Sequence, residues 1–166
     1  MHTTAQTTLD GLSFVLGDAF PAAQIWADRI PQGMETGAFF IRQISGNRRK
    51  GLGLLYAGGL ARRRKAKSNV TFEITCFPAA DVGKEEDECR AVQEELLDLL
   101  DLVPTADGVF LRGEDVSASI SDGVLVVTVR FQYSTLWIPE DITMQDLRLS
   151  IDGNEITTTG GTDNVS

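Results

Sequence analysis

The sequence contains few of the residues on which most catalytic and metal sites depend. Its 166 residues include one histidine, His2, and two cysteines, Cys76 and Cys89. A catalytic triad or a zinc site needs several such residues together, and no nucleophile motif or metal-ligand spacing accompanies these three. The glycines do not follow the spacing GxxxxGKS/T of a nucleotide-binding P-loop. We therefore predict a protein that is not an enzyme and that needs no metal or cofactor.

The sequence also has no apolar run long enough to cross a bilayer, since glycine, aspartate or arginine interrupts each candidate. The first ten residues are polar and lack the basic-then-apolar order of a signal peptide. We therefore expect no membrane partner and a chain that stays in the cytoplasm where it is made. In that reducing compartment, Cys76 and Cys89 are expected to be small buried hydrophobic residues and not a disulfide.

Positive charge is concentrated in one short stretch. The formal net charge is −9, from 24 acidic and 15 basic residues. Eight of the basic residues are Arg48, Arg49, Lys50, Arg62, Arg63, Arg64, Lys65 and Lys67. Because glycine is also dense here, residues 46–67 are predicted to form a long basic loop or the distal part of a hairpin. Such a segment can contact nucleic acid, but a loop that orders in an assembly fits it better, since only Tyr56 could stack on a base.

The clearest pattern in the sequence is a β-hairpin from Val109 to Trp137. The dipeptide Asp122-Gly123 suits a two-residue type I′ turn. The cross-strand pairs that this turn predicts are Ser121 with Val124, Ile120 with Leu125, Ala118 with Val127 and Val116 with Val129. A slip of one residue would destroy the apolar face, so the pattern predicts the register as well as the strands. Gly113 interrupts the first strand and is a candidate for a bulge.

The remaining elements follow from apolar spacing. Helices are predicted over 4–20 and 84–103, strands over 22–30, 37–45 and 68–77, and one further short element over 142–151. Residues 152–166 are predicted to be disordered. The expected fold is a single α+β domain over residues 1–151, a mostly antiparallel sheet with two helices packed on it. Its predicted order is α-β-β-(long loop)-β-α-β-β.

Several of these pieces occur in the order found in one known family. They are Phe20-Pro21 after the first helix, the run Ile25 to Gly33, the strand Phe39-Phe40-Ile41, the strand Phe72 to Pro78, the helix with Cys89 and Leu96, and the hairpin from Leu111-Arg112-Gly113 to Asp122-Gly123-Val124-Leu125. In their order and spacing they resemble the tail terminator, or tail completion, proteins of long-tailed phages and prophages. The similarity covers roughly Leu9 to Leu149. It departs at residues 46–67, which are longer and more basic than the family's turn, and at Gly37-Ala38, where the family often has Pro-Cys.

The resemblance implies a structural virion protein without catalysis. Members of the family form a ring, usually a hexamer, that caps the tail tube, stops its polymerisation and offers a surface for joining the head. The implied partners are other copies of the chain, the tail tube protein and the head–tail connector or stopper protein, with DNA only passing through the lumen. The implied location is the head-proximal end of the tail, after synthesis in the bacterial cytoplasm. An acidic body with a basic loop would suit head-to-tail contacts around a ring. As hypotheses, the subunit contact lies on the polar or edge side of the sheet, and the eight basic residues form an interface that faces the lumen or the tube.

Two other functions remain open at this point. The chain could be another neck protein, such as a head-completion or connector-adaptor protein. It could also be a nucleic-acid-binding module that uses residues 48–67. The net charge of −9 argues against this function. The host, the tail type, the copy number of the ring and the state of the chain before assembly do not follow from the sequence.

Overall fold

The computed structural model describes residues 3–29, 32, 36–56, 62–137, 149–151 and 154–156, and describes only the backbone for 50–56, 62–65 and from 136 onward. Its elements in chain order are α1 (Ala5–Ala19), β1 (Gln24–Ala27), β2 (Ala38–Tyr56), β3 (Arg62–Phe77), α2 (Glu85–Leu99), β4 (Leu102–Pro104), β5 (Phe110–Ser121), β6 (Val124–Trp137), β7 (Leu149–Ile151) and β8 (Asn154–Ile156). Six strands form a curled sheet in the order β1-β2-β3-β6-β5-β4, and β7 pairs with β8. Only the β1–β2 pair among these described strands is parallel. The predicted α+β fold, a mostly antiparallel sheet with two helices, is therefore confirmed.

Helix α1 begins and ends where the sequence predicts. Thr4 caps its start by accepting a hydrogen bond from the Thr7 N–H, while the Thr7 hydroxyl accepts one from the Thr4 N–H, which completes a capping box. The predicted apolar stripe is buried, with Leu12 and Leu16 at most 1% exposed. Phe20 caps the other end, and Pro21 follows it.

The same helix lies across the opening of the curled sheet. Near its start, the Ala106 N–H donates to the Thr7 carbonyl, 3.2 Å away. One turn later, Gly11 packs against the Pro104 carbonyl of β4. Near its end, Gly17 lies beside Ile25 of β1. Helix α1 therefore contacts both edge strands of the sheet and covers the core between them.

The core lies on the inner face of the sheet, as the alternation in β3 predicts. Val70, Phe72, Ile74 and Cys76 are buried, and the residues between them are half-buried. Strand β6 adds a buried row opposite them: Leu125, Val127, Val129 and Phe131. Because successive side chains of a strand point to opposite faces, one sheet supplies both this core and a polar outer face.

Helix α2 ends earlier than the sequence predicts. The apolar stripe continues to Val103, but the helix stops at Leu99 and Val103 lies buried in the short edge strand β4. The Gly113 N–H of β5 donates to the carbonyls of Leu100 and Asp101, at 3.1 and 3.3 Å. These bonds satisfy carbonyls at the helix end and direct the chain into β4. The predicted end of the helix was therefore wrong by about one turn, and β4 was missed.

The β5–β6 hairpin has the predicted turn and most of the predicted register. Asp122 and Gly123 have φ angles of 52° and 72°, as a type I′ turn requires. The pairs of Ser121, Ile120 and Ala118 form as expected. The pair of Val116 with Val129 does not form, because the register shifts between Glu114 and Ser117. Asp115 and Val116 together stand opposite Val129, so the bulge lies beyond Gly113, the position suggested for it.

The segment predicted as a long loop is largely paired strand. Strand β2 continues to Tyr56 and β3 begins at Arg62, so the alternative of a distal hairpin is the correct one. A register shift between Lys50 and Leu54 accommodates Gly51 and Gly53. The glycines did not prevent strand formation, because β3 is also held on its other side by β6, out to Arg64 paired with Trp137. Residues 57–61 lie outside the described chain.

The remaining predictions near the C-terminus are only partly within the described residues. Of the short element expected over 142–151, residues 149–151 form β7. Residues 154–156, expected to be disordered, form β8 and pair with β7. The rest of the predicted tail lies outside the described residues.

Candidate interaction surfaces

Three strands extend beyond the end of the six-stranded sheet and form what we call the arm: residues 47–56 of β2, 62–69 of β3 and 132–137 of β6. On the side of the arm, the pairing of β5 with β6 stops at Gly113, which lies opposite Phe131. Beyond that point the arm strands continue to pair with one another. At about 3.3 Å per residue, the β3 part spans about 25 Å. The arm is therefore long enough to reach a neighbouring molecule.

The arm brings together the two basic runs that are separated in the sequence. Arg49 is paired with Lys67 and Arg48 with Ser68, and farther out Tyr56 is paired with Arg62. Among the eight predicted site residues, Arg48, Arg49 and Lys67 have exposed side chains. The other five, Lys50, Arg62, Arg63, Arg64 and Lys65, are described by their backbone alone. Like charges placed opposite each other destabilise a strand pair, so the pairing of Arg49 with Lys67 favours contact with an acidic partner.

At the base of the arm, three neighbouring strands line one cleft. Arg48, Ser68 and Tyr133 are in register across β2, β3 and β6. With Thr3 and Thr4 they line a cavity of about 320 Å³. Burial raises the pKa of the Tyr133 hydroxyl, while the Arg48 charge and a hydrogen bond to Ser68 act in the opposite direction. A guanidinium and two hydroxyls in one cleft can donate hydrogen bonds to a carboxylate.

Negative charge lies on the opposite part of the fold. Helix α2, which packs on β5 and β6, begins with Glu85, Glu86, Asp87 and Glu88. Glu88 accepts a hydrogen bond from the Ala79 N–H at 3.0 Å, and Arg90 bridges Glu86 and Asp87. The first turn is thus stabilised by the helix dipole and by local bonds. The acidic surface on α2 and the basic arm lie on different parts of the subunit.

A second cavity, also of about 320 Å³, is apolar and lined by residues that include Phe20, Phe39, Cys76 and Val92. Burial, followed by the nearby Cys89 and Glu88, raises the pKa of the Cys76 thiol to about 12. Burial also raises the pKa of Cys89. Both cysteines are buried and free, as predicted. Since the thiolate is the reactive form, both thiols act as packing groups.

Sequence reasoning missed a set of exposed apolar side chains. The large hydrophobic residues exposed among the described ones are Phe14, Trp26, Ile44, Val82, Leu102, Val109 and Phe110. The exposure of Phe14 could have been predicted, because this residue lies between Asp10 and Asp18 on the polar face of α1. Leu102 offered no such signal, since the edge strand β4 was not predicted. Phe110 lies on the predicted hairpin, but the bulge between Glu114 and Ser117 moves it to the face opposite the one that alternation indicates.

Two absences concern only the described part of the chain. No group of three or more His, Cys, Asp or Glu residues there could hold a metal ion. None of the described helices is long and apolar enough to span a membrane.

Comparison with known proteins identifies the family. The family model described as phage tail terminator protein matches residues 9–144, most of the chain. No curated protein matches. One solved structure, whose name describes no function, shares 13% identity over 80% of this chain and 92% of its own, with a TM-score of 0.34; a likeness of this size adds nothing to the assignment. On the family match, the chain belongs to the phage tail terminator family and is a structural component of the phage tail.

Proposed function

We propose that this protein caps the phage tail tube as a ring of identical subunits, ends polymerisation of the tube and provides the surface to which the head is joined. The observation that carries the proposal is the family match over residues 9–144. The other partners are then the tail tube protein and the connector or stopper protein of the head. DNA passes through the lumen of the ring.

The separation of charge on the subunit supports assembly as a ring. A closed ring is built from head-to-tail contacts, in which each copy uses two different surfaces. The basic arm is one such surface, and the acidic remainder of the subunit, which includes the start of α2, offers a second surface of opposite sign. Complementary charges would orient the copies during assembly. The eight basic residues of the arm are accordingly proposed to form an interface.

The experiment that tests this function is deletion of the gene from its phage, followed by measurement of tail lengths by negative-stain electron microscopy. Loss of a terminator leaves tube growth unchecked, so overlong tails of uneven length, unattached to filled heads, are expected. Complementation with the wild-type gene should restore a single tail length. Tails of normal length in the deletion phage would overturn the proposal.

The same micrographs separate the alternative functions. Tails of normal length with heads that leak DNA or fail to join tails would indicate another neck protein. Intact particles would favour a nucleic-acid-binding module, for which the paired basic runs of the arm are the relevant observation. That module would show binding to DNA or RNA that weakens steeply as salt rises, because phosphate contacts release counterions.

A further inference from the structure

An apolar patch surrounds the seam between helix α1 and strand β4. Phe14 is 70% exposed, Phe110 62% and Leu102 55%. Large apolar side chains that are exposed as one patch are typical of interaction sites. We call these three residues the seam patch.

The backbone places the three residues around the crossing of α1 and β4. Leu102 and Pro104 flank the buried Val103 on β4, so both face outward, and Phe110 is paired with Pro104 on the same face. Along α1, Thr7 is bonded to Ala106 and Gly11 packs on Pro104. The helix and β4 therefore run in opposite directions along this seam. Moving forward along α1 from Gly11 therefore corresponds to moving backward along β4 from Pro104. Phe14, three residues after Gly11, and Leu102, two residues before Pro104, lie toward the same end of the seam.

Exposed carboxylates flank the patch on helix α1, and an ion pair lies beside Leu102. Asp10 and Asp18 are exposed and lie one turn before and one turn after Phe14 on α1. Asp101, also exposed, immediately precedes Leu102 and is 3.3 Å from Arg112. A partner that fits this surface must therefore present apolar side chains together with positive charge.

The arm has this combination of residues. Its sequence places Leu52, Leu54, Leu55 and Tyr56 between the basic runs 48–50 and 62–65, and its strands extend past the end of β5. We infer that the seam patch of one copy binds the arm of a second copy of this chain. The contact is heterologous, since it joins two different surfaces, and repeated around an axis it closes a ring. The inference rests on the proposed function and names the contact between its subunits.

Cysteine cross-linking in assembled tails tests this contact. Phage lacking the gene is complemented with equal amounts of two variants, Phe14→Cys and one arm variant, taken in turn from Leu52→Cys, Leu54→Cys and Tyr56→Cys. The purified tails are then oxidised. Because Cys76 and Cys89 are buried with raised thiol pKa values, only the introduced thiols should react. The expected product is a disulfide-linked heterodimer of the Phe14→Cys chain with at least one arm variant.

Ser119→Cys provides the matched control, because Ser119 is exposed on the polar outer face of β5. It should give no heterodimer with the arm variants. Three outcomes would overturn the inference while leaving the ring function intact. They are a heterodimer with Ser119→Cys but not with Phe14→Cys, a Phe14→Cys homodimer alone, and the absence of any cross-link in tails of normal length. Failure of the function itself is seen separately, as tails of normal length in the uncomplemented deletion phage.

Discussion

Gly11 of helix α1 lies directly against the backbone carbonyl of Pro104, at the point where the helix crosses the edge strand β4. A methyl group at Gly11 would collide with that carbonyl and also meet the Thr105 Cα at 3.1 Å. Both obstacles are backbone atoms, so neither can rotate away. Gly11→Ala is therefore expected to lower the free energy of unfolding by about 1–3 kcal/mol, as overpacking does elsewhere. Urea denaturation followed by circular dichroism measures it.

Gly17→Ala in the same helix is the matched control. A methyl group there would meet only the Ile25 Cδ1, at an ordinary contact distance of 3.5 Å. Because alanine favours helix over glycine, this variant should be as stable as wild type or more stable by up to about 1 kcal/mol. If both variants lost the same stability, the close approach of Gly11 to β4 would not be the cause.

Two glycines with similar backbone angles separate conformational strain from crowding. Gly123 and Gly108 have φ angles of 72° and 79°, a region that costs an L-residue about 1–2 kcal/mol. A methyl group at Gly123 would also meet the Glu85 Cβ at 3.0 Å, whereas at Gly108 it would meet nothing within 4 Å. We expect Gly123→Ala to destabilise more than Gly108→Ala in urea denaturation. Equal losses of stability in the two variants would show that the start of α2 moves enough to accommodate the methyl group at position 123.

The sequence predicted those parts of the fold in which a simple period decides the outcome. Alternation in β3 predicted its buried row, and the Asp122-Gly123 turn predicted the pairing of Ile120 and Ala118, because a one-residue slip would expose the apolar face. The pairing of Val116 was wrong because a bulge at Asp115, whose φ is 50°, adds a residue that alternation does not signal. Val103 satisfied the helical stripe and the edge strand equally well, so the pattern alone could not locate the end of α2.

The candidate site was predicted in part for a similar reason. The eight basic residues were found from composition, but their pairing across the arm depends on β6, which is distant in sequence and supports β3 out to Arg64. The seam patch depends on contacts among three separate elements and could not be seen in any one of them. In both cases, the sequence pattern did not determine which distant segments of the chain come into contact.

The raised pKa of Cys76 predicts a loss of stability in alkaline solution. The folded value is about 12 against an ordinary 9.0, so the stabilisation is present in full below pH 9. Above pH 9 the unfolded chain releases the thiol proton while the folded chain retains it, and stability falls as the pH approaches 12. By pH 10 the loss should be about 1 kcal/mol. Urea denaturation at pH 8 and pH 10 measures it.

Cys76→Ala is the control for this pH dependence, since other groups also titrate above pH 9. The variant removes the thiol and should lose less stability than wild type between the two pH values, whatever its stability at pH 8. A thiol reagent provides a second measurement. At pH 8 it should label neither Cys76 nor Cys89 in the folded protein and both in urea. Rapid labelling of the folded protein would contradict the burial of these thiols.

Charge reversal in the arm tests the hypothesis made from the sequence. We expect the triple variant with Arg62→Glu, Arg63→Glu and Arg64→Glu to fold but to bind at least about tenfold more weakly in the assembly, a change of about 1.4 kcal/mol. The reason is repulsion from an acidic partner surface. Ring assembly, tail docking and phage yield are measured beside Arg29→Glu, a reversal at an exposed residue that lies after β1, outside both the arm and α2. The hypothesis fails if all three are unchanged.

A second-site reversal then distinguishes the two partners that the arm could contact. If the arm lies on the seam patch of a neighbouring copy, Asp10→Lys with Asp18→Lys should restore part of the assembly lost by the triple arm variant, because attraction is re-established with the signs exchanged. If the arm contacts the tail tube protein instead, the two lysines lie outside that contact and should restore nothing. Rescue therefore assigns the basic residues to the contact between subunits, and loss of docking without rescue assigns them to the tube.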